Sequence, residues 1–360
     1  MSQTTLNGFP NRYRVYRAKK ILNTYKYADS WFWNRYSAHP YVGCEHACEY
    51  CYARADKYLH TDRPEDFSRS IKVKQNAAQL LRNELARVPR NLLVTGDYQP
   101  AEGIFGLSRK MLEVVRDFSF PVHVIEKSHL VVKDLDVLAD IHARAWACVS
   151  FSFSTLDEIS SVFEPCSPPP QRRLEAMKQC AERGVVTGAN LMPVLPFITD
   201  SEESLEKVIK AVKAHKGTFI LVGGLTLDDN VRVRYFNLLK KEFPSLLKKY
   251  EELYGSDERF RLYNEEICKK VQELCEEYKL KDRIPRYCMN LNQKVAEQVF
   301  DMAYRLERVD PRKAWGYRKA AWAIDELDTD IYSINDLTAI PGIGVKNAAM
   351  IKDIMNELLT

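Results

Sequence analysis

Gly43-Cys44-Glu45-His46-Ala47-Cys48-Glu49-Tyr50-Cys51-Tyr52 is the stretch on which the reading of this chain turns. Its three cysteines, four and three residues apart, bring three thiolates within little more than one turn of chain. Thiolates are the usual ligands of a cubane iron–sulfur cluster, which needs four. Three cysteines therefore leave one iron open to a small chelating molecule. Two plainer readings stand beside this one. A zinc site would have only His46 nearby as a fourth ligand, and the cysteines can also bind nothing. A motif needs context, and the rest of the chain supplies it.

With 360 residues the chain suits two or three domains. No apolar run is long enough to span a membrane. Residues 1–10 lack a charged-then-apolar leader pattern, so a cytoplasmic protein is expected. Of the nine cysteines, Cys148, Cys166, Cys180, Cys268, Cys275 and Cys288 are scattered, as in a reduced compartment. The net charge of +4 is too small to argue for a nucleic-acid partner, but its distribution is uneven. Residues 11–35 hold seven Lys or Arg against Asp29 alone, interleaved with tyrosines. Cations neutralise phosphates and tyrosine rings stack on bases, so this is either a nucleic-acid arm or a solvated segment whose tyrosines pack on the domain. Trp31, Phe32 and Trp33 then bring apolar bulk towards the cysteine loop, where a shield for a cluster is their simplest use.

Beyond the cysteines, helical and strand patterns alternate. Residues 71–87, 108–117, 133–143, 171–183 and 204–214 read as helices. Residues 91–95, 122–125, 147–153, 185–195 and 218–222 read as strands. With a short strand ahead of Gly43 this makes about six parallel βα units, an α/β fold in the form of an incomplete (β/α)6 barrel. Reactive groups should gather past the carboxyl ends of its strands. The polar blocks there are Thr95-Gly96-Asp97-Tyr98-Gln99-Pro100, Glu126-Lys127-Ser128, Ser152-Phe153-Ser154, Glu164-Pro165-Cys166, Arg172-Arg173 and Met192-Pro193.

The cysteine spacing, with an aromatic before the last cysteine, resembles the radical S-adenosylmethionine superfamily. The later blocks, in this order over about residues 30–225, resemble the spore photoproduct lyase family and its lyase-like relatives. The resemblance implies a 4Fe–4S cluster on Cys44, Cys48 and Cys51, with S-adenosylmethionine on the open iron. One electron would then release a 5′-deoxyadenosyl radical, and a ferredoxin- or flavodoxin-type donor would supply that electron. It also implies that Tyr50 lies along the S-adenosylmethionine, with Lys127 and Ser152 at its polar groups. Thr95, Gly96 and Asp97 would form the edge for its methionine end, with Pro193 at the same site. In chemical terms a carboxylate wants a cation and an amino group wants acceptors. Plainer roles stand beside these: Lys127 a solvated charge, Ser152 bonded only to backbone, Asp97 a turn residue, Arg172 and Arg173 surface cations or phosphate contacts. The sequence departs from the lyase at Val94, where the lyase carries its hydrogen-donating cysteine. Tyr52 is retained, and Cys166 or Cys148 are the candidate replacements for the thiol.

Residues 228–293 are helical and carry no evident chemistry. The last segment, 294–360, holds Leu337-Thr338-Ala339-Ile340-Pro341-Gly342-Ile343-Gly344-Val345-Lys346. Its glycines let backbone amides approach a phosphate, next to the positive end of a helix. This resembles the helix-hairpin-helix motif, and the whole segment resembles the small N-terminal domain of family X DNA polymerases. Met350 replaces that domain's lyase lysine, so its chemistry is not implied. Gly342, Gly344, Lys346, Arg318 and Lys319 are the expected backbone contacts. Residues 305–319 carry six cations against Glu307 and Asp310, which suits a one-sided phosphate face. The domains expected are thus 1–227, 228–293 and 294–360. The function expected is a radical enzyme acting on DNA, in lesion repair or modification. An RNA-directed enzyme and a non-catalytic iron–sulfur DNA-binding protein are the alternatives.

Overall fold

The computed structural model describes residues 12–59, 64–287, 290–307 and 311–358. The leader-pattern reading of residues 1–10 and the role of Cys288 lie outside these. The described chain forms two compact units, one of residues up to Thr24 plus Tyr36–Pro285, the other of Tyr25–Arg35 plus Arg286 onward.

In the first unit ten strands make two sheets. They are β1 (Tyr13–Tyr16), β2 (Leu22–Thr24), β3 (Tyr36–Ala38), β4 (Tyr41–Val42), β5 (Ile71–Lys74), β6 (Leu93–Gly96), β7 (Val122–Glu126), β8 (Ala147–Phe153), β9 (Val186–Val194) and β10 (Ile220–Gly224). The large sheet runs β10-β9-β8-β7-β6-β3-β2. Six of its strands, from β3 to β10, are parallel, and β2 adds an antiparallel edge. This is the open six-unit α/β sheet that the alternation predicts. Val122, Val124, Val149, Phe151, Phe153, Ala189 and Leu191 enter the main core with residues of the covering helices. Because side chains alternate between faces, Val94, His123, Ser150 and Asn190 line the other face. There His123 Nε2 lies 2.7 Å from Ser150 Oγ, which accepts from Asn190 Nδ2 at 2.8 Å.

Two local expectations are corrected. Residues 71–87 do not form one helix, because Ile71–Lys74 alternates buried and half-buried residues and pairs as β5 between β1 and β4. The helix starts only at Ala77. The helices of residues 228–285 do not form a domain of their own. Ile267, Val271 and Cys275 of helix Asp257–Glu277 join the main core. Val231, Tyr235 and Leu239 of helix Asp229–Glu242 pack in one cluster with Cys48, Tyr50 and Phe163.

In the second unit, helices Leu291–Glu307, Pro311–Asp325 and Val345–Glu357 close on Val295, Val299, Phe300, Ile324, Ile331, Leu337 and Ile351. The Trp31–Trp33 segment, expected as a shield for the cysteine loop, packs within this unit. Tyr27 stacks on Trp322 with ring centroids 4.7 Å apart, and Trp33 meets Phe300 edge-on at 5.5 Å. Arg286, buried, lies over the rings of Trp33 and Phe300 and pairs with Asp325. The segment is recruited because the paired helices leave aromatic surface that needs cover.

Burial drives the His123 pKa down to about 3. An unfolded histidine titrates near 6.5. As pH falls below that value the unfolded chain takes the proton first, so this share of stability is whole above about pH 6.5 and shrinks towards pH 3. The difference in urea-unfolding stability between wild type and His123→Gln should therefore shift against the wild type by about 1 kcal/mol per pH unit as pH falls from about 6.5 to 5.

Candidate active site around the cysteine loop

The loop that carries Cys44, Cys48 and Cys51 follows β4 and is shaped by backbone constraints. Gly43 sits at φ +87°, and a Cβ there would come 2.5 Å from the Phe67 carbonyl oxygen. That carbonyl accepts from Cys44 N at 3.0 Å, and Glu49 N donates to Phe163 O at 2.9 Å. Gln99 clamps the loop from both sides. Its Nε2 donates to Gly43 O at 3.0 Å, and its Oε1 accepts from Glu45 N at 2.9 Å. Glu45, buried, accepts from Tyr13 OH at 3.0 Å and from Ala101 N at 2.7 Å. Buried Arg54 donates from Nε to Cys48 O at 3.0 Å and lies over the Phe67 ring. Gln99 of the Asp97-Tyr98-Gln99-Pro100 block thus holds the cysteine loop in place, and Gln99, Glu45 and Arg54 are loop-holding residues that the sequence reading missed. The regular spacing that betrays the cysteines has no counterpart for them.

The three thiols are free and lie near one another: burial raises the Cys44 pKa well above its ordinary value, and Cys51 and Cys48 add to the rise. Burial also pushes the Cys48 thiol up to about 12. Among the described residues no three His, Cys, Asp or Glu side chains are grouped as tightly as a single ion needs. Behind Cys48, Phe163 stacks on Tyr235 at 5.8 Å and on Phe243 at 5.6 Å. This aromatic wall provides the apolar backing that the tryptophans were expected to give. A soft donor set on a clamped loop with a dry back fits an iron–sulfur cluster.

Beside the loop, past the ends of β7 and β8, lies a buried ionic cluster centred on Glu164. Its Oε1 accepts from Tyr50 OH, from Lys127 Nζ at 3.2 Å and from Ser154 Oγ at 3.0 Å. Its Oε2 pairs with Arg173, whose NH1 also donates to Ser152 O at 2.9 Å. Burial alone would raise the Glu164 carboxyl, but Lys127 and Arg173 bring it down to about 2. Lys127 is therefore not a solvated charge, and Arg173, 1% exposed, is neither a surface cation nor a phosphate contact. Arg172 is exposed.

At the end of β6, Thr95 Oγ1 donates to Ala38 O at 2.8 Å. Asp97, at φ +84°, lies 3.1 Å from His39 Nδ1. Gly96 has no room for a side chain, since a Cβ would come 2.5 Å from Ile125 O. Burial raises Glu126 to about 7, although it accepts from the backbone N–H groups of Tyr98, Lys127 and Ser128. Pro193 lies on β9. Cys166, exposed, is tied to the loop through its N–H to His46 O at 3.3 Å, and Ser167 Oγ lies 3.6 Å from Cys48 Sγ. Cys148 is fully buried. Tyr52 is 67% exposed, its ring edge-on to Tyr58, outside the Glu164 cluster.

In the second unit Gly342 adopts φ +98° in the turn before helix Val345–Glu357. Gly344 caps that helix without a side-chain bond, and Gly342, Gly344, Lys346 and Lys319 are exposed. Arg318 is half-buried and pairs with Glu307 at 2.7 Å.

A helix-hairpin-helix domain model matches residues 290–357. Over 255 residues the chain is 31% identical to an uncharacterized protein of Mycobacterium tuberculosis, covering 68% of this chain and 75% of that one. It is 28% identical over 188 residues to an uncharacterized protein of Methanocaldococcus jannaschii, 52% of this chain and 69% of that one. Among solved structures, a spore photoproduct lyase mutant aligns with a TM-score of 0.47 at 15% identity, over 64% of this chain and 66% of the lyase. Streptococcus suis SuiB bound to S-adenosylmethionine aligns at 0.38 with 13% identity, over 59% of this chain and 47% of SuiB. No helix among the described residues is long and apolar enough to cross a membrane.

Replacing Glu164 by Gln leaves Arg173 and Lys127 buried without their counter-charge. The variant should lose about 3–5 kcal/mol in urea unfolding. Gln99→Leu keeps the volume and removes both clamp bonds, and should cost about 2 kcal/mol.

Proposed function

The chain belongs to the family of the mycobacterial protein that it matches over three quarters of that protein's length, and from this premise we propose a radical S-adenosylmethionine enzyme acting on nucleic acid. The observation that carries the reading is the clamped Cys44–Cys48–Cys51 loop at the carboxyl ends of the parallel strands, next to the Glu164 cluster. Cys44, Cys48 and Cys51 would hold a 4Fe–4S cluster, and Tyr50, Thr95, Gly96, Asp97, Lys127, Ser152 and Pro193 would border S-adenosylmethionine. Bound together, these groups supply one-electron cleavage of a sulfonium to a carbon radical.

The chain's own residues do the rest. Arg173 and Glu164 fix the Lys127 ammonium and the Tyr50 ring, so a cation and an aromatic ring are preset beside the thiols. Phe163 and Tyr235 keep water from the back of the loop. Val94 cannot return a hydrogen atom as the lyase thiol does. Cys166, exposed and tethered to the loop, is the better placed of the two replacement thiols.

The helix-hairpin-helix domain would grip phosphates through the exposed amides at Gly342 and Gly344, with Lys346 and Lys319 beside them and Arg318 kept for Glu307. DNA is the preferred substrate, with a lesion-bearing or extruded nucleotide as target, because a base inside a duplex is out of reach. A ferredoxin- or flavodoxin-type protein would deliver the electron.

Anaerobic reconstitution with iron and sulfide, followed by dithionite and S-adenosylmethionine, tests the reading. The wild type should form 5′-deoxyadenosine, and Cys44→Ala, Cys48→Ala and Cys51→Ala should fall to background. A colourless, zinc-loaded protein would sink the enzyme. Product analysis with ultraviolet-irradiated DNA, set against transfer RNA, separates the two substrates.

A further inference from the structure

The helix Pro311–Asp325 carries a tryptophan that stays half in water. Ala314, Ala320, Ala321 and Ile324 bury the helix against its own unit. Trp315 lies off that face and is 49% exposed, although tryptophan is highly buried on average. It belongs to a stripe. Arg312, Trp315, Lys319 and Trp322 follow one another at helical spacing, which sets them along one side of the helix. Arg312 and Lys319, a turn before and a turn after Trp315, are exposed. Trp322 is fixed within the unit: its Nε1 donates to Ala28 O at 3.0 Å, and Tyr27 of the basic, tyrosine-rich stretch stacks on its ring. Trp315 meets Trp322 nearly at a right angle, with centroids 5.5 Å apart, and that contact braces it from one side. The hairpin turn closes on the same part of the helix. A Cβ on Gly342 would lie 3.4 Å from Lys319 O, and Asn347 Nδ2 donates to Gly316 O at 3.4 Å. The stripe thus borders the turn whose glycines are expected to admit phosphate.

We infer that Trp315 is a stacking platform for an unpaired base, set beside the backbone grip of the helix-hairpin-helix domain, an inference that rests on the nucleic-acid reading above. Arg312 and Lys319 supply the complementary charge and take the phosphates that flank the unpaired nucleotide. A backbone grip alone reads no base and holds any duplex. An intact duplex gives the Trp315 ring nothing, because its bases are stacked on one another and their faces are covered. An unpaired base offers a free face, and stacking accepts any base. Grip and platform together select a strand interrupted by an unpaired nucleotide, the form in which a base can be reached for chemistry.

The test uses the full chain and fluorescence anisotropy across a salt series, with two labelled DNA probes: an intact duplex and the same duplex carrying one bulged thymidine. The wild type should bind the bulged duplex about tenfold more tightly than the intact one. Trp315→Ala should lose that preference and keep its affinity for the intact duplex and its salt slope. Trp315→Leu keeps apolar cover on Trp322 without a ring and should behave like Trp315→Ala, whereas Trp315→Phe should retain the preference. Lys319→Gln should instead weaken both probes and flatten log K against log salt by about 0.9. A wild type that binds both probes equally, or a preference that survives in Trp315→Leu, would overturn the platform and leave the nucleic-acid reading standing. Equal losses on both probes in Trp315→Ala and Trp315→Leu would also overturn it. A wild type that binds neither probe would remove both.

Discussion

A single buried carboxylate fixes the geometry beside the cysteine loop. Glu164 is 3% exposed and accepts from four side chains that come from the cysteine loop, the end of β7, the end of β8 and helix Pro170–Glu182. Taking three charged groups out of water costs several kcal/mol per ion, and an apolar replacement would often be as stable. Such a cluster makes sense where position matters more than stability. It fixes a cation and an aromatic ring beside the thiols before anything binds, and a preset electrostatic border does not reorganise when charge develops.

The cysteine loop is held by a second set of interactions that act on backbone atoms. Gln99 and Arg54 bond peptide groups of Gly43, Glu45 and Cys48, so the thiol-bearing side chains stay free for ligands. The helices of residues 229–254 add an apolar back to the same loop. Loop geometry, charged border and dry wall therefore come from different parts of the sequence, and each can vary without disturbing the cysteine spacing.

The six parallel strands were legible because apolar runs of strand length alternate with amphipathic helices, as in Ala147–Phe153, whose bounds match the expectation. The cysteines were legible because their spacing is local. What failed was tertiary. Ile71–Lys74 alternates like a strand, but the helical pattern that follows it absorbed its residues. Trp33 was assigned to the nearest loop in sequence, whereas its partners Phe300 and Arg286 lie more than 250 residues further along the chain. Arg173 looked like a surface cation because nothing local marks it, and its carboxylate partner sits on the preceding turn of a separate loop. Residues that act by holding backbone, such as Gln99, leave no periodic signal at all.

Net charge is a poor guide to where this chain presents cations to solvent, and burial explains why. Arg54, Arg173, Arg286 and Lys127 are mostly or wholly removed from solvent and engaged with carbonyls, rings or carboxylates. An ion so paired contributes little field at the surface, since its partner cancels it within a few ångströms. Arg318 is withdrawn in the same way by Glu307. The cations that still project a field are those like Arg14, Lys319 and Lys346, set on strand or helix faces that their own unit leaves to solvent. A basic patch is therefore identified by the cations a fold leaves exposed, and among the described residues both units keep some.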